Sequence, residues 1–417
     1  MPAELIIRGG RVEGHDVPVD VAVEDGWIVA VAPSLTAGAP VELDAAGRVV
    51  GPAFVEPHIH LDKVGVAPLL PANRSGTLAE AIELLHATKR AATVEQVAER
   101  AGRVIRQAVV AGTTVIRTHV DVDTIGGLKP LHGVRRAAAE HADLCDVQIV
   151  AFPQEGIERD PGAAELMARA MGEGAHVVGG MPHWERDRAA ALRHVDFCLD
   201  LAVRHDADVD MHVDETDDPR SRTLELLADS ADRHGWGGRV TAGHCCAMAA
   251  WEDPYAAAVI ARLAAVGVNV IANPATNLML QGRLDSEPRR RGIARVKELL
   301  AAGVNVACGQ DCVQDAFYPF GAADQLQVAL LLAHAAQLSA PDEIPHALRA
   351  VTTAAARVLR LQDYGVTAGA RADLVVLDAE STEEALRLQA ARRWVLRAGR
   401  VVAETETRTA LHRDGRH

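Results

Sequence analysis

The chain of 417 residues is 49% hydrophobic and 24% charged, with a formal net charge of −14. It has enough apolar residues to bury a large core. The acidic balance, with no block of five or more basic residues, argues against a duplex nucleic-acid surface, because phosphate contacts need clustered Lys and Arg; a small-molecule partner is expected instead.

The start, Met1 to Arg8, lacks the basic stretch followed by an apolar run that marks a signal peptide. Short strands are expected at Leu5–Arg8, Val19–Val23 and Trp27–Ala32, the last after the Asp25-Gly26 turn signal. The other end of the chain has similar runs, Ala372–Leu377 and Trp394–Val402, so the two ends are expected to meet in one small β-sandwich. Between them, β-branched runs alternate with amphipathic Ala/Leu/Arg-rich stretches. The runs are Thr113–Arg117, Val147–Phe152, His176–Gly180, Asp208–His212, Arg239–His244, Asn269–Asn273 and Asn305–Gly309. This alternation implies a parallel sheet, and about eight repeats favour a (β/α)8 TIM barrel over an open doubly wound sheet. No Gly-x-Gly-x-x-Gly follows an early strand, which removes the main reason to prefer a dinucleotide fold. The expected organisation is a barrel at 53–360, flanked by the two halves of the sandwich at 1–52 and 361–417.

No apolar run reaches 18 residues, so no membrane span is expected. The six cysteines, Cys145, Cys198, Cys245, Cys246, Cys308 and Cys312, form no C-x₂-C pair. A reduced, cytoplasmic chain with buried or pocket-lining thiols is expected. Lysine occurs only at Lys63, Lys89, Lys129 and Lys297, and the Arg excess is read as a genomic coding bias.

His58 and His60, His119, Gln154, His183, His212, His244 and Asp311 each fall at or just past the end of a candidate strand. In a barrel these ends converge on the mouth where active sites are built. His58 and His60 are two apart, so on a strand both imidazoles face the same side and can reach one metal. His212 could add a third ligand, with Glu215 aimed at a substrate, whereas Asp217 and Asp218 read as a solvated acidic loop. His132, His141, His194, His205 and His417 are expected at the surface.

In order and spacing these residues resemble the mononuclear deaminase branch of the amidohydrolase superfamily, and bacterial cytosine deaminases in particular. The resemblance runs through Val55–Asp62, Arg117–Val122, Ile149–Ile157, Leu280–Arg283, Arg290–Ile293 and Leu361–Gly365, and Phe-Pro-Gln-Glu-Gly-Ile at 152–157 is its most specific block. It implies that His58, His60, His212 and Asp311 hold one divalent ion, iron or zinc. It also implies catalytic roles for Glu215, His244 and Asp311, substrate contacts from Gln154, Cys312, Phe317 and Leu78, a heterocyclic small-molecule substrate and a homo-oligomer. The chemistry fits the residue types: a bound metal supplies hydroxide near neutral pH, Glu215 can shuttle protons to the ring and the leaving ammonia, and a glutamine amide can both donate and accept along an oxo/N–H edge.

Binuclear superfamily members bridge two metals with a carboxylated lysine. No lysine occurs from 130 to 296, although Glu185 could offer a carboxylate instead. The H-x-E and P-C-x-x-C motifs of the unrelated zinc deaminases are missing. A silent scaffold homologue predicts a damaged site, yet every residue type needed for chemistry is present. The sequence departs from the cytosine deaminase pattern where Cys312 and Phe317 replace an acidic residue and a Trp, and where Gln310 replaces a His. A less polar pocket wall follows, so a 5-substituted cytosine such as 5-methylcytosine is an expected substrate beside cytosine. Isocytosine, creatinine and N-alkyl triazines are the alternatives.

Overall fold

A computed structural model describes residues 3–411, so His417 lies outside the described residues. By its contacts the chain divides into two compact units, Phe54–Gln362 and Met1–Ala53 with Asp363–His417.

The larger unit is an eight-stranded parallel barrel. Its strands are β1 (Phe54–Ile59), β2 (Thr113–Asp121), β3 (Asp146–Phe152), β4 (Val177–Gly180), β5 (Asp208–Val213), β6 (Val240–His244), β7 (Asn269–Ala272) and β8 (Val306–Cys308). Each pairs in parallel with the next. Helices follow most strands, and apart from the start of β3 every strand residue is buried. Both faces of such a sheet are covered, which explains why these strands read as continuous apolar runs rather than alternating ones.

The sheet closes just beyond β8. Ile59 bridges Asp311 in parallel; the Asp311 N–H donates to His58 O at 2.7 Å, and the His60 N–H donates to Asp311 O at 3.0 Å. Buried Glu56 braces the same seam, accepting the His58 N–H at 2.9 Å and the Gln310 N–H at 3.1 Å. The Gln325 side-chain amide also donates to it. The closure thus places the His-x-His pair and Asp311 in one register.

The smaller unit holds two four-stranded sheets. One runs Trp27–Ala32, Val19–Glu24, Leu5–Gly10, Val41–Asp44, and the other Arg400–Glu404, Arg392–Arg397, Leu374–Leu377, Val49–Pro52. Leu5, Ile7, Val21 and Ile28 from the first share a core with Val50, Leu374, Val376 and Leu396 from the second. The run Trp394–Val402 is a hairpin, turned at Ala398 and Gly399, both at positive φ. Such turns match the twist of the paired strands. Val41–Asp44 and Val49–Pro52 were not anticipated. Among the described residues no helix is long and apolar enough to cross a membrane.

Candidate metal centre and pocket

His58, His60, His212 and Asp311 are all buried, and one ligand atom from each lies within 4.8 Å of the others. His60 Nε2 and His212 Nε2 are 3.0 Å apart, while Asp311 Oδ1 lies 3.4 Å from His60 Nε2 and 3.6 Å from His58 Nε2. Ligand atoms about 2.1 Å from one ion at tetrahedral angles are roughly 3.4 Å apart, so the four donors fit a single ion of that kind. Both ring nitrogens of His58, and Nδ1 of His60 and of His212, find no hydrogen-bond partner among the described residues. Burial, more than any neighbour, holds all three imidazoles well below their ordinary pKa. Neutral rings keep the lone pairs that ligation requires. Asp311 adopts a left-handed backbone, at φ 66°, a region that aspartate enters more readily than most residues.

Next to this cluster, Glu215 Oε1 stands 3.2 Å from His244 Nδ1. Burial, reinforced by Asp311, pushes Glu215 well above the ordinary carboxyl range. His244, also at positive φ, is lowered to about 4 by burial. The side-chain amides of Asn277 and Asn273 bracket its ring at 2.9 and 3.3 Å. Neither asparagine was anticipated, although both follow β7 in Asn273-Pro274-Ala275-Thr276-Asn277.

A narrow cavity is lined by His60, Leu78, Gln154, His212, Glu215, Thr276, Asp311, Cys312 and Phe317. The structure therefore brings together the four expected ligands, Glu215, and the contacts Gln154, Cys312, Phe317 and Leu78. Leu78 opens a helix, Leu78–Ala91, whose Thr77 cap accepts the Glu80 N–H. Cys312 and Phe317 belong to an apolar cluster with Phe152, Met181 and Leu280. Burial raises the Cys312 thiol well above its usual pKa, so it stays neutral.

Other candidates fall outside the cavity. The His119 ring lies tilted against that of His58, centroids 4.1 Å apart, and its Nε2 is 3.3 Å from Asp210. His183 sets Nδ1 3.3 Å from the His212 carbonyl oxygen, and Asp121 is engaged by Lys63 and Lys89. Glu185 turns away from the ligands: its Oε1 is 2.8 Å from His194 Nδ1 and accepts the Ile157 N–H. Two expectations are corrected. His194 is wholly buried, because it shares a helix face with Ala190, Ala191, Val195 and Cys198. Asp217 is more than a solvated charge, since it accepts the Gly282 N–H at 2.9 Å and ties that loop to the site. All six cysteines are buried.

Comparison with known proteins fits this geometry. Residues 72–403 match the amidohydrolase family model. A crystal structure of 5-methylcytosine deaminase from Klebsiella pneumoniae, liganded with 5-fluorocytosine, superposes with a TM-score of 0.93 at 42% identity, covering 98% of this chain and 99% of that one. The pterin deaminase of Rhizobium rhizogenes is 34% identical over 96% of this chain and 92% of its own. N-isopropylammelide isopropylaminohydrolase from Burkholderia multivorans aligns at 32% identity with a TM-score of 0.85, covering 97% of this chain and 99% of that one. With its barrel, its histidine and aspartate cluster and these relatives, the chain belongs to the amidohydrolase family.

Proposed function

We propose that this chain hydrolytically deaminates a cytosine-type pyrimidine, with 5-methylcytosine favoured, and that it uses one divalent ion. The carrying observation is the small cavity that sets Gln154 and neutral Cys312 beside the four-ligand cluster. His58, His60, His212 and Asp311 would hold the ion, iron or zinc. When bound, such an ion acidifies water and supplies hydroxide near neutral pH.

In the overall change the C4–N bond breaks, a water oxygen takes its place, and ammonia leaves with the uracil-type product. Glu215, whose neutral form burial favours, gives a proton to the ring nitrogen beside C4, takes up the proton of the hydroxyl then on C4 and passes it to the departing amine, so both protons of the water are accounted for. His244, fixed between Asn273 and Asn277, orients the attack and stabilises the charge on the oxygen added at C4. Gln154 pairs with the oxo and N–H edge. Cys312 and Phe317 give the 5-substituent an apolar wall, where a carboxylate would have to be desolvated.

Ammonia release from cytosine, 5-methylcytosine, isocytosine, N-isopropylammelide and pterin provides the test. The expected result is a kcat/KM for 5-methylcytosine at or above that for cytosine, with the other three far lower. A strong preference for pterin or for the triazine would overturn the reading.

A further inference from the structure

Lys63, one of the few lysines in this arginine-rich chain, is only 4% exposed. Its ammonium donates to Asp121 Oδ1 at 2.8 Å and to Gln154 Oε1 at 2.5 Å. The rings of Phe152 and Phe317 flank it, with centroids 5.7 and 5.6 Å from Nζ. Asp121 is shared with Lys89 at 2.7 Å, which also reaches Asp123 at 2.7 Å and Glu155 at 3.2 Å. Burial works against the Lys63 charge, but Asp121 and Asp62 outweigh it and hold the pKa above its ordinary value.

An ammonium has three donors and no acceptor. The Gln154 atom facing it is therefore the carbonyl oxygen, and an amide that could otherwise turn over has one orientation. Its NH₂ group is left beside Met181 Sδ at 3.7 Å, a weak acceptor. Those N–H bonds remain available to a ligand, and Oε1 keeps a second lone pair.

We propose that Lys63 is a positioning residue that locks Gln154 as a donor toward the ligand, and so selects rings presenting an oxo oxygen next to a ring N–H. The inference rests on the reading of Gln154 as a substrate contact. A ring with an amino group in place of the oxo oxygen would set donor against donor and leave both unpaired, the mismatch that gives polar sites their strongest discrimination.

Calorimetric titration with pyrimidin-2-one and 2-aminopyrimidine tests this without turnover. The metal-loaded wild type should bind pyrimidin-2-one at least about tenfold tighter, the scale of one charge-assisted hydrogen bond. Lys63→Met should weaken that binding about tenfold and bring the ratio toward one, yet add less than twofold in a Gln154→Ala background. Lys63→Arg, which also carries only donors and keeps a cation for Asp121, should retain the wild-type ratio; if Lys63→Met does not fold, Lys63→Gln, whose side-chain carbonyl can also accept from Gln154 and so frees its amide to turn over, serves in its place with the same expected loss. Additive losses in the double variant, or a ratio unchanged in folded Lys63→Met, would reduce Lys63 to a structural role and overturn the proposal. A wild type that binds neither ring and frees no ammonia from any pyrimidine defeats the proposed function, and this inference with it.

Discussion

Two buried carboxyl groups close to one another do different work, and conservative changes should separate them. Asp311 lies 3.4 and 3.6 Å from two ligand nitrogens, so Asp311→Asn should lower both bound metal and ammonia release. Glu215 is outside the four-ligand set, so Glu215→Gln should keep the metal while ammonia release falls about 10²–10⁴-fold, the usual worth of a positioned acid-base group; metal analysis beside an ammonia assay would read both, and parallel metal loss in the two variants would contradict the division. Cys312 offers a third case. Cys312→Asp places a carboxylate in the apolar cluster around Phe317, and should swing the ratio of kcat/KM for cytosine over 5-methylcytosine upward by about tenfold or more. All these residues were legible in the sequence because each sits at a strand end or in a specific block. Lys63, Asn273 and Asn277 were not, since their importance lies in what they touch across the barrel mouth. A signal existed for Lys63: in a chain that uses Arg nearly everywhere, a retained lysine beside His-x-His invited a reason other than coding bias.

At the scale of elements, the seam between β1 and the end of β8 carries the site. Glu56 accepts backbone N–H groups from both sides of it, at His58 and at Gln310. Burial raises its pKa well above the ordinary range. Glu56→Ala would strand these donors in the interior, at a cost of about 3 kcal/mol or more. Thermal melting should fall by several degrees, and metal occupancy should fall with it because His58 and Asp311 bond across the same seam; an unchanged melting curve would show that the seam does not need its brace. Seven of the eight barrel strands were readable from their β-branched runs, to within a residue or two at most ends, although the run at Thr113–Arg117 stopped four residues short of its strand. The bracing was not, because it joins positions far apart in the chain. Elsewhere the error was local and avoidable. The spacing of Ala190, Ala191, Val195 and Cys198 around His194 already marked the buried face of its helix, and Ala398-Gly399 already offered a turn inside the last run.

Across the whole molecule, the four residues able to hold an ion come from β1, from β5 and from just beyond β8. Only the folded barrel brings them within 4.8 Å, and the unfolded chain offers isolated histidines at best. An ion that binds the native state alone stabilises it by RT ln(1 + [L]/Kd), about 2.7 kcal/mol at a free concentration of 100 Kd. Unloaded, His58 keeps a buried Nε2 that has no hydrogen-bond partner among the described residues, and an unpaired buried polar atom is costly. Both effects have the same sign. Prolonged chelation should therefore abolish ammonia release and also lower the melting temperature by several degrees. One equivalent of zinc or ferrous ion per chain should restore both together, with no further gain from a second equivalent. Retention of activity and of the melting temperature after the metal content has been measured at zero would remove the ion from the proposed mechanism. A requirement for two equivalents would replace the single centre with a binuclear one.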